Sequence, residues 1–162
     1  MITQSALHQL FTYNKKTGQL FWKERQSSSC LENSPAGFSI PNGYISIKIK
    51  QKRYSAHRLI YIYHFGKAPK YIDHINRIRN DNRIENLRPA TISQNNHNAN
   101  LRKDNGSGIK GVSFYKKLNK WIAYINVNKK RVHLGYFDFI DDAFNAVSKK
   151  RKELHGEYAS NG

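Results

Sequence analysis

The chain has 162 residues, with 28 Lys or Arg against 11 Asp or Glu and a formal charge of +17 at pH 7. That length fits one ordinary domain or two small ones. The charge lies in both halves, 15 basic and 5 acidic residues in 1–100 and 13 and 6 in 101–162, so a localised basic tail is excluded. A polyanion is the natural partner of such a chain. No long apolar run or basic amphipathic helix points to a bilayer, and the polar, uncharged start Met1-Ile-Thr-Gln-Ser has no signal-peptide pattern. Cys30 is the single cysteine. An intrachain disulfide and a Cys-based zinc site are therefore excluded, and a reducing cytoplasm is expected.

Residues 3–11 have the pattern of a short helix, capped by Thr3 or Ser5, with Leu7, Leu10 and Phe11 on one face. Residues 11–13 and 19–22 flank a turn-forming stretch at 14–18 and predict a hairpin. Residues 24–42, rich in Ser, Asn, Gly and Pro, read as an irregular connection. Ile45, Ile47 and Ile49 then alternate with Ser46, Lys48 and Lys50, the pattern of a half-buried strand with a basic outer face. Tyr54 leads into an apolar helical run at 56–65, closed by Gly66 and Pro69.

The next segment reads as strand, loop, strand and helix: Tyr71-Ile-Asp-His-Ile-Asn76, then Asn82-Arg-Ile-Glu-Asn-Leu-Arg88, then Thr91-Ile-Ser-Gln-Asn95. An Asp-His pair at the end of a strand, with an Asn in the first turn of a helix, can hold one hard divalent cation beside a general base. Phosphodiester cleavage needs an activated water, charge stabilisation on the phosphate and help for the leaving 3′-oxygen. A neutral imidazole, with a reference pKa near 6.5, accepts a proton at cellular pH. A carboxylate and an amide oxygen suit Mg²⁺ or Mn²⁺ better than zinc.

On Asp73-His74, Asn86-Leu87-Arg88, Thr91 and Asn95, and upstream on His57-Arg58-Leu59, the sequence resembles the HNH endonucleases of the ββα-metal fold, and more closely the homing-type nicking enzymes of phages. It departs from the family name at Asn95, which replaces the final His and makes the triplet His74, Asn86, Asn95. The resemblance implies that several nicking members use Asn there. It assigns His74 as general base, Asp73 and Asn95 as ligands of one Mg²⁺ or Mn²⁺ per active site, and Asn86 as the residue that holds the catalytic loop and His74. Arg77, Arg79 and Arg83 in the loop are placed to grip phosphates. Asn98, about one turn after Asn95, stands either as an aid to the site or as a solvated Asn. His97 is expected to touch solvent or DNA backbone, and His57 and Arg58 to anchor their helix against the strands. Trp22, Tyr61 and Tyr63 read as core or partly buried aromatics.

Residues 102–108, Arg-Lys-Asp-Asn-Gly-Ser-Gly, carry no apolar periodicity and mark a boundary. Beyond them, residues 111–115, 120–125 and 130–136 read as three strands, with turns at 117–119 and 126–129. A helix follows, capped by Asp138 with Asp141 three residues on, and striped by Ile140, Ala143, Phe144, Val147 and Leu154. Trp121 is expected to pack against it. Lys110-Gly-Val112, Lys120-Trp-Ile-Ala123, His133-Leu-Gly-Tyr-Phe137 and Asp141-Asp-Ala143 resemble the AP2 (ERF-type) DNA-binding domain over about residues 109–159. In that family the three-stranded sheet lies in the major groove. The resemblance carries DNA contacts onto Lys110, Ser113, Tyr115, Lys117, Tyr124, Asn126, Arg131 and His133. Several Arg and Trp positions of the plant proteins are Ser, Tyr, Asn and His here, so the plant target sequence does not carry over.

The expectation is an α+β chain: an HNH nuclease domain at 1–100, a linker at 101–108 and a three-stranded antiparallel sheet packed on one helix at 109–162. Its expected function is metal-dependent, site-preferring nicking of double-stranded DNA by a phage-encoded enzyme in the bacterial cytoplasm, with no obligate protein partner. The alternative is a non-catalytic DNA-binding regulator that keeps the nuclease fold as a scaffold; an RNA-directed nuclease is the second rival.

Overall fold

Thr3 rather than Ser5 caps the first helix, its hydroxyl accepting from the Ala6 N–H at 3.2 Å. Helix α1 (Gln4–Leu10) runs directly into a hairpin of β1 (Phe11–Asn14) and β2 (Gln19–Trp22), in which Phe11 pairs with Trp22 and Asn14 with Gln19. The computed structural model describes residues 2–28, 30–101, 104–127 and 130–161, which fall into two units, residues 1–92 and 93–162.

In the first unit, β3 (Phe38–Ser39), β4 (Ile45–Ile49) and β5 (Lys52–Ser55) form an antiparallel sheet in that order. Two of these strands go beyond the sequence reading. The connection at 24–42 holds the two-residue β3, which pairs Phe38 with Ser46. The approach to the helix is β5, because Lys50 turns the chain at φ 53 and brings Arg53 opposite Lys48. The basic face is therefore shared by two strands, and Lys50 belongs to their turn.

Helix α2 (Ala56–Phe65) ends as predicted at Gly66, whose left-handed φ of 76° lets its N–H close on the Ile62 carbonyl at 2.8 Å. Leu59 and Ile60 of α2 are fully buried with Leu7, Phe11, Leu20, Trp22 and Ile47, so the helix locks the N-terminal hairpin and the sheet around one core. Each such side chain contributes roughly 1.5–3 kcal/mol on burial. From that core emerge β6 (Tyr71–His74) and β7 (Leu87–Ala90), an antiparallel pair joined by a loop that ends in a 3-10 turn at Ile84–Asn86. Helix α3 (Ile92–Asn98) follows at the division between the units.

The second unit holds β8 (Val112–Tyr115), β9 (Lys120–Val127) and β10 (Lys130–Phe137), antiparallel with β9 central, and α4 (Ile140–His155) followed by a 3-10 turn at Gly156–Tyr158. Val112, Ala123, Ala143 and Val147 are the buried contact of sheet and helix, with Trp121 packed against them. Two sequence readings need correction. The N-cap residue is Phe139, and Asp138 instead pairs with the Lys120 ammonium at 3.0 Å, which leaves Asp141 and Asp142 as the acidic first turn. The buried stripe ends on Arg151 while Leu154 is exposed. Arg151 can be buried because its guanidinium donates to the Lys110 carbonyl and to Asn161 Oδ1. The predicted turn at 126–129 begins inside β9, and residues 128–129, like 102–103 of the predicted linker, lie outside the described residues. Among the described residues no helix is long and apolar enough to cross a membrane.

Candidate active site and nucleic-acid face

Strand register builds the first part of the site. Asp73 lies opposite Arg88, and His74 opposite Leu87, at the end of β6. Both Nε and Nη2 of Arg88 reach Asp73 Oδ2 at 2.8 Å, with the two side chains only 11% and 8% exposed. This is a charge-assisted, largely desolvated pair, which costs far more to break than an exposed one. The sequence reading used Arg88 as a motif landmark and gave it no partner; an Asp and an Arg on facing strands is the signal that would have found the pair.

Asn86 laces the loop between the strands. Its Oδ1 accepts from the Asn76 N–H at 2.9 Å, its Nδ2 donates to Asn76 Oδ1 at 2.9 Å and to the Asp81 carbonyl at 2.7 Å, and its own carbonyl accepts from the Ile75 N–H at 2.9 Å. The amide thus ties together the start and the middle of the loop beside His74. Asn76 continues the network to Asp81 Oδ2 at 2.6 Å and caps the turn by accepting from the Ile78 N–H at 2.9 Å. The Arg83 fork grips Asp81 at 2.8 and 2.6 Å, and chiefly for that reason the Asp81 carboxyl is held down at about 2.

The three loop arginines are therefore not equivalent. Arg83 is committed to Asp81. Arg79 donates to the Asn42 carbonyl at 2.8 Å and lies 5.2 Å from the Tyr44 ring centre. Arg77 takes a left-handed φ of 67° and donates its backbone N–H to the His74 carbonyl at 2.9 Å.

His74 is buried, and its Nε2 lies 3.0 Å from Asn82 Oδ1. Burial lowers its pKa, opposed by the Asn82 bond and by Asp73. The His57 ring meets it edge-on at 5.4 Å, and Tyr44 packs against both at 5.2 and 5.8 Å. Arg58 anchors α2 as expected, donating to the Pro69 and Lys70 carbonyls just before β6. His57 likewise packs against the strand, its ring on His74 of β6, and in doing so also forms a wall of the site. Tyr44, Asn82 and Asn76 were missed, because their roles depend on contacts far apart in sequence.

Burial, the neighbouring His74 and Arg58 push His57 down to about 4. In the unfolded chain it binds a proton near 6.5, so the unfolded state holds more protons as pH falls from about 6.5 to about 4. Stability present above that window is lost across it, by roughly 2–3 kcal/mol. Thermal melts at pH 7 and pH 4.5 should therefore differ more for the wild type than for His57→Phe. An equal drop in both would remove His57 as the cause.

In the second unit, Asn95 is half-buried on α3, Asn96 is exposed and Asn98 is buried. His97 is half-buried: its ring stacks on His155 at 3.6 Å, and its Nε2 lies 3.3 Å from Ser93 Oγ. The Lys110 ammonium donates to the Asn96, His97 and Ala99 carbonyls and caps the end of α3. The other sheet residues cluster. Register pairs Tyr124 with His133 and Asn126 with Arg131, and Ser113 and Tyr115 of β8 lie opposite Ile122 and Lys120. Alternation places all of these on the face away from Ala123, and hence away from α4. A bulge between His133 and Gly135 keeps Tyr136 on that same face, 4.7 Å from His133 and 5.7 Å from Tyr115. Arg131 lies 4.2 Å from the Tyr124 ring centre, and Lys117 is exposed in the turn before β9.

Residues 54–97 match the HNH endonuclease family. Over 96 residues the chain is 32% identical to Protein 3.8 of Escherichia phage T7, a stretch that covers 58% of this chain and 78% of that protein. No solved structure matches the chain. The chain thus belongs to the family of this phage protein and carries an HNH endonuclease domain at residues 54–97.

Proposed function

We propose that the protein is a metal-dependent DNA endonuclease that nicks one strand of double-stranded DNA, with His74 taking a proton from the attacking water. The observation that carries this reading is the meeting of a buried carboxylate, a buried imidazole and an Asn-laced loop at the end of β6, inside the segment matched to HNH endonucleases. Asn86 holds the loop on which His74 sits. Arg77 and Arg79 are the loop cations assigned to substrate phosphate; Arg83 serves the loop through Asp81.

The donor chemistry fits a hard cation. A carboxylate has about four lone-pair positions, so Asp73 has the capacity to accept from Arg88 and to ligate Mg²⁺ or Mn²⁺ as well. Among the described residues no three His, Cys, Asp or Glu side chains converge, so an amide, water and the scissile phosphate must complete the shell; Asn95 is the amide assigned by the sequence resemblance. Once bound, the cation supplies charge neutralisation on the phosphate and at the leaving oxygen.

We assign target recognition to the outer face of the C-terminal sheet, read as AP2-like, with Ser113, Tyr115, Lys117, Tyr124, Asn126, Arg131 and His133 toward the DNA, and the nuclease, linker and recognition segments bounded at about 100 and 108. The homing-type, phage-encoded enzyme would act in the host cytoplasm. Arg131→Ala should lose roughly 1–3 kcal/mol of preference at one base pair if it makes a bidentate contact to guanine, whereas Lys149 and Lys150 variants should bind almost normally. Equal weakening on all sequences by Arg131→Ala would move recognition elsewhere.

One contact favours the rival reading of a non-catalytic DNA-binding protein: a carboxylate already neutralised by Arg88 needs no cation. Plasmid relaxation separates the two. Supercoiled DNA should become open circles with Mg²⁺, remain supercoiled in EDTA and be cut again when Mg²⁺ or Mn²⁺ is restored. Full activity in EDTA would sink the metal assignment, and no cutting with any divalent ion would sink the nuclease.

A further inference from the structure

We propose that Asn82, held from behind by the N-terminal hairpin, is the positioning residue for the His74 imidazole, so that β1 and β2 belong to the cleavage apparatus although they lie outside residues 54–97. The inference rests on the reading of His74 as general base.

Asn82 is 3% exposed, and its Oδ1 lies 3.0 Å from His74 Nε2. An amide oxygen only accepts, so the bond needs a proton on Nε2 and a defined ring plane. The main chain of Asn82 is fixed from the hairpin side. The Tyr13 hydroxyl donates to the Asn82 carbonyl at 3.4 Å and accepts from the Ile84 N–H at 2.9 Å. Tyr13 is itself held edge-on against His64 at 4.6 Å. In the turn between β1 and β2, Gly18 lies directly on the same backbone: a Cβ there would sit 2.2 Å from Arg83 N and 2.5 Å from the Asn82 carbonyl carbon. Gly18 also has φ +70°, so both its conformation and its closeness to the loop require glycine.

A purely structural role for Asn82, closing the loop, is already filled. Asn86, Asn76, Asp81 and Arg83 tie the loop together through bonds in which the Asn82 side chain takes no part. The Asn82 amide instead faces His74. A base must be held close to its productive orientation, and an error of about 1 Å in such a group costs on the order of 100-fold in rate.

The test uses the full-length chain and supercoiled plasmid with Mg²⁺ under single-turnover conditions. Asn82→Ala should slow cleavage about 10- to 100-fold with plasmid affinity almost unchanged, and Asn82→Asp, which keeps an acceptor oxygen, should recover most of the rate. Tyr13→Phe should slow cleavage less, and adding it to Asn82→Ala should bring no further loss, because both act through one contact. The ¹H–¹⁵N signal of His74 Nε2 should shift in Asn82→Ala and Tyr13→Phe. Asn82→Ala cutting within about threefold of wild type, while His74→Ala does not cut, would overturn the proposal. So would a His74 signal indifferent to Asn82→Ala. If Asn82→Ala does not fold, Tyr13→Phe carries the test, and wild-type cleavage with an unmoved His74 signal then overturns it. If the wild type does not cut at all, the endonuclease reading fails, and the His74 signal alone decides whether Asn82 holds the ring.

Discussion

Replacing His74 with Ala should lower cleavage by at least two orders of magnitude while DNA affinity stays almost unchanged, since a positioned general base is typically worth 10²–10⁴-fold. The side chain is buried and bonded to Asn82, so a folded state must first be verified by circular dichroism; His74→Gln is the smaller change if Ala loosens the loop. Burial lowers the imidazole pKa below its ordinary 6.5, so the unprotonated, active form already prevails at neutral pH. The chemical step should therefore quicken as pH rises through the range below 6.5 and level off by about pH 7. Cleavage by His74→Ala within threefold of wild type, or a rate that keeps climbing tenfold per pH unit above pH 7, would take His74 out of the mechanism.

Much of this site was legible because its residues recur at short intervals on elements with simple periods. Asp73 and His74 end a four-residue strand, and the apolar run at 56–65 stops at Gly66 as its composition demands. The residues of the outer sheet face came from the resemblance to the AP2 domain, and the bulge at Leu134 that brings Tyr136 beside His133 was not foreseen, because a bulge breaks the alternation of a strand. What remained hidden was held by long-range contact. Tyr13 and Gly18 meet Asn82 and Arg83 across more than 60 residues, and no local pattern records such a meeting. The bonds of Lys110 were hidden for a related reason: only the fold brings its ammonium to the carbonyls at the end of α3. Arg151 was overlooked on α4 because a helical stripe is searched for apolar residues, and a buried arginine needs partners as distant as the Lys110 carbonyl.

Asp73 should give the second large effect, and its two consequences can be separated. Asp73→Ala should abolish cleavage by removing the only carboxylate assigned to the cation. It should also destabilise the fold, because Arg88 is 11% exposed and would keep its charge without the Asp73 oxygen that both of its donor nitrogens reach. Breaking a buried pair from one side costs about 3–5 kcal/mol, a large part of the stability of a small domain. Replacing both partners by apolar groups is far milder, so Asp73→Ala combined with Arg88→Met should recover much of the lost stability and none of the activity. Arg88→Met alone leaves a buried carboxylate whose charge a cation can offset, so its melting temperature should rise on adding Mg²⁺ more than that of the wild type. Urea midpoints and plasmid nicking on the four proteins close the cycle. If the double variant cuts DNA, Asp73 is not a metal ligand and its use in this chain is the ion pair alone; if Arg88→Met gains nothing from Mg²⁺, the cation must be held without Asp73.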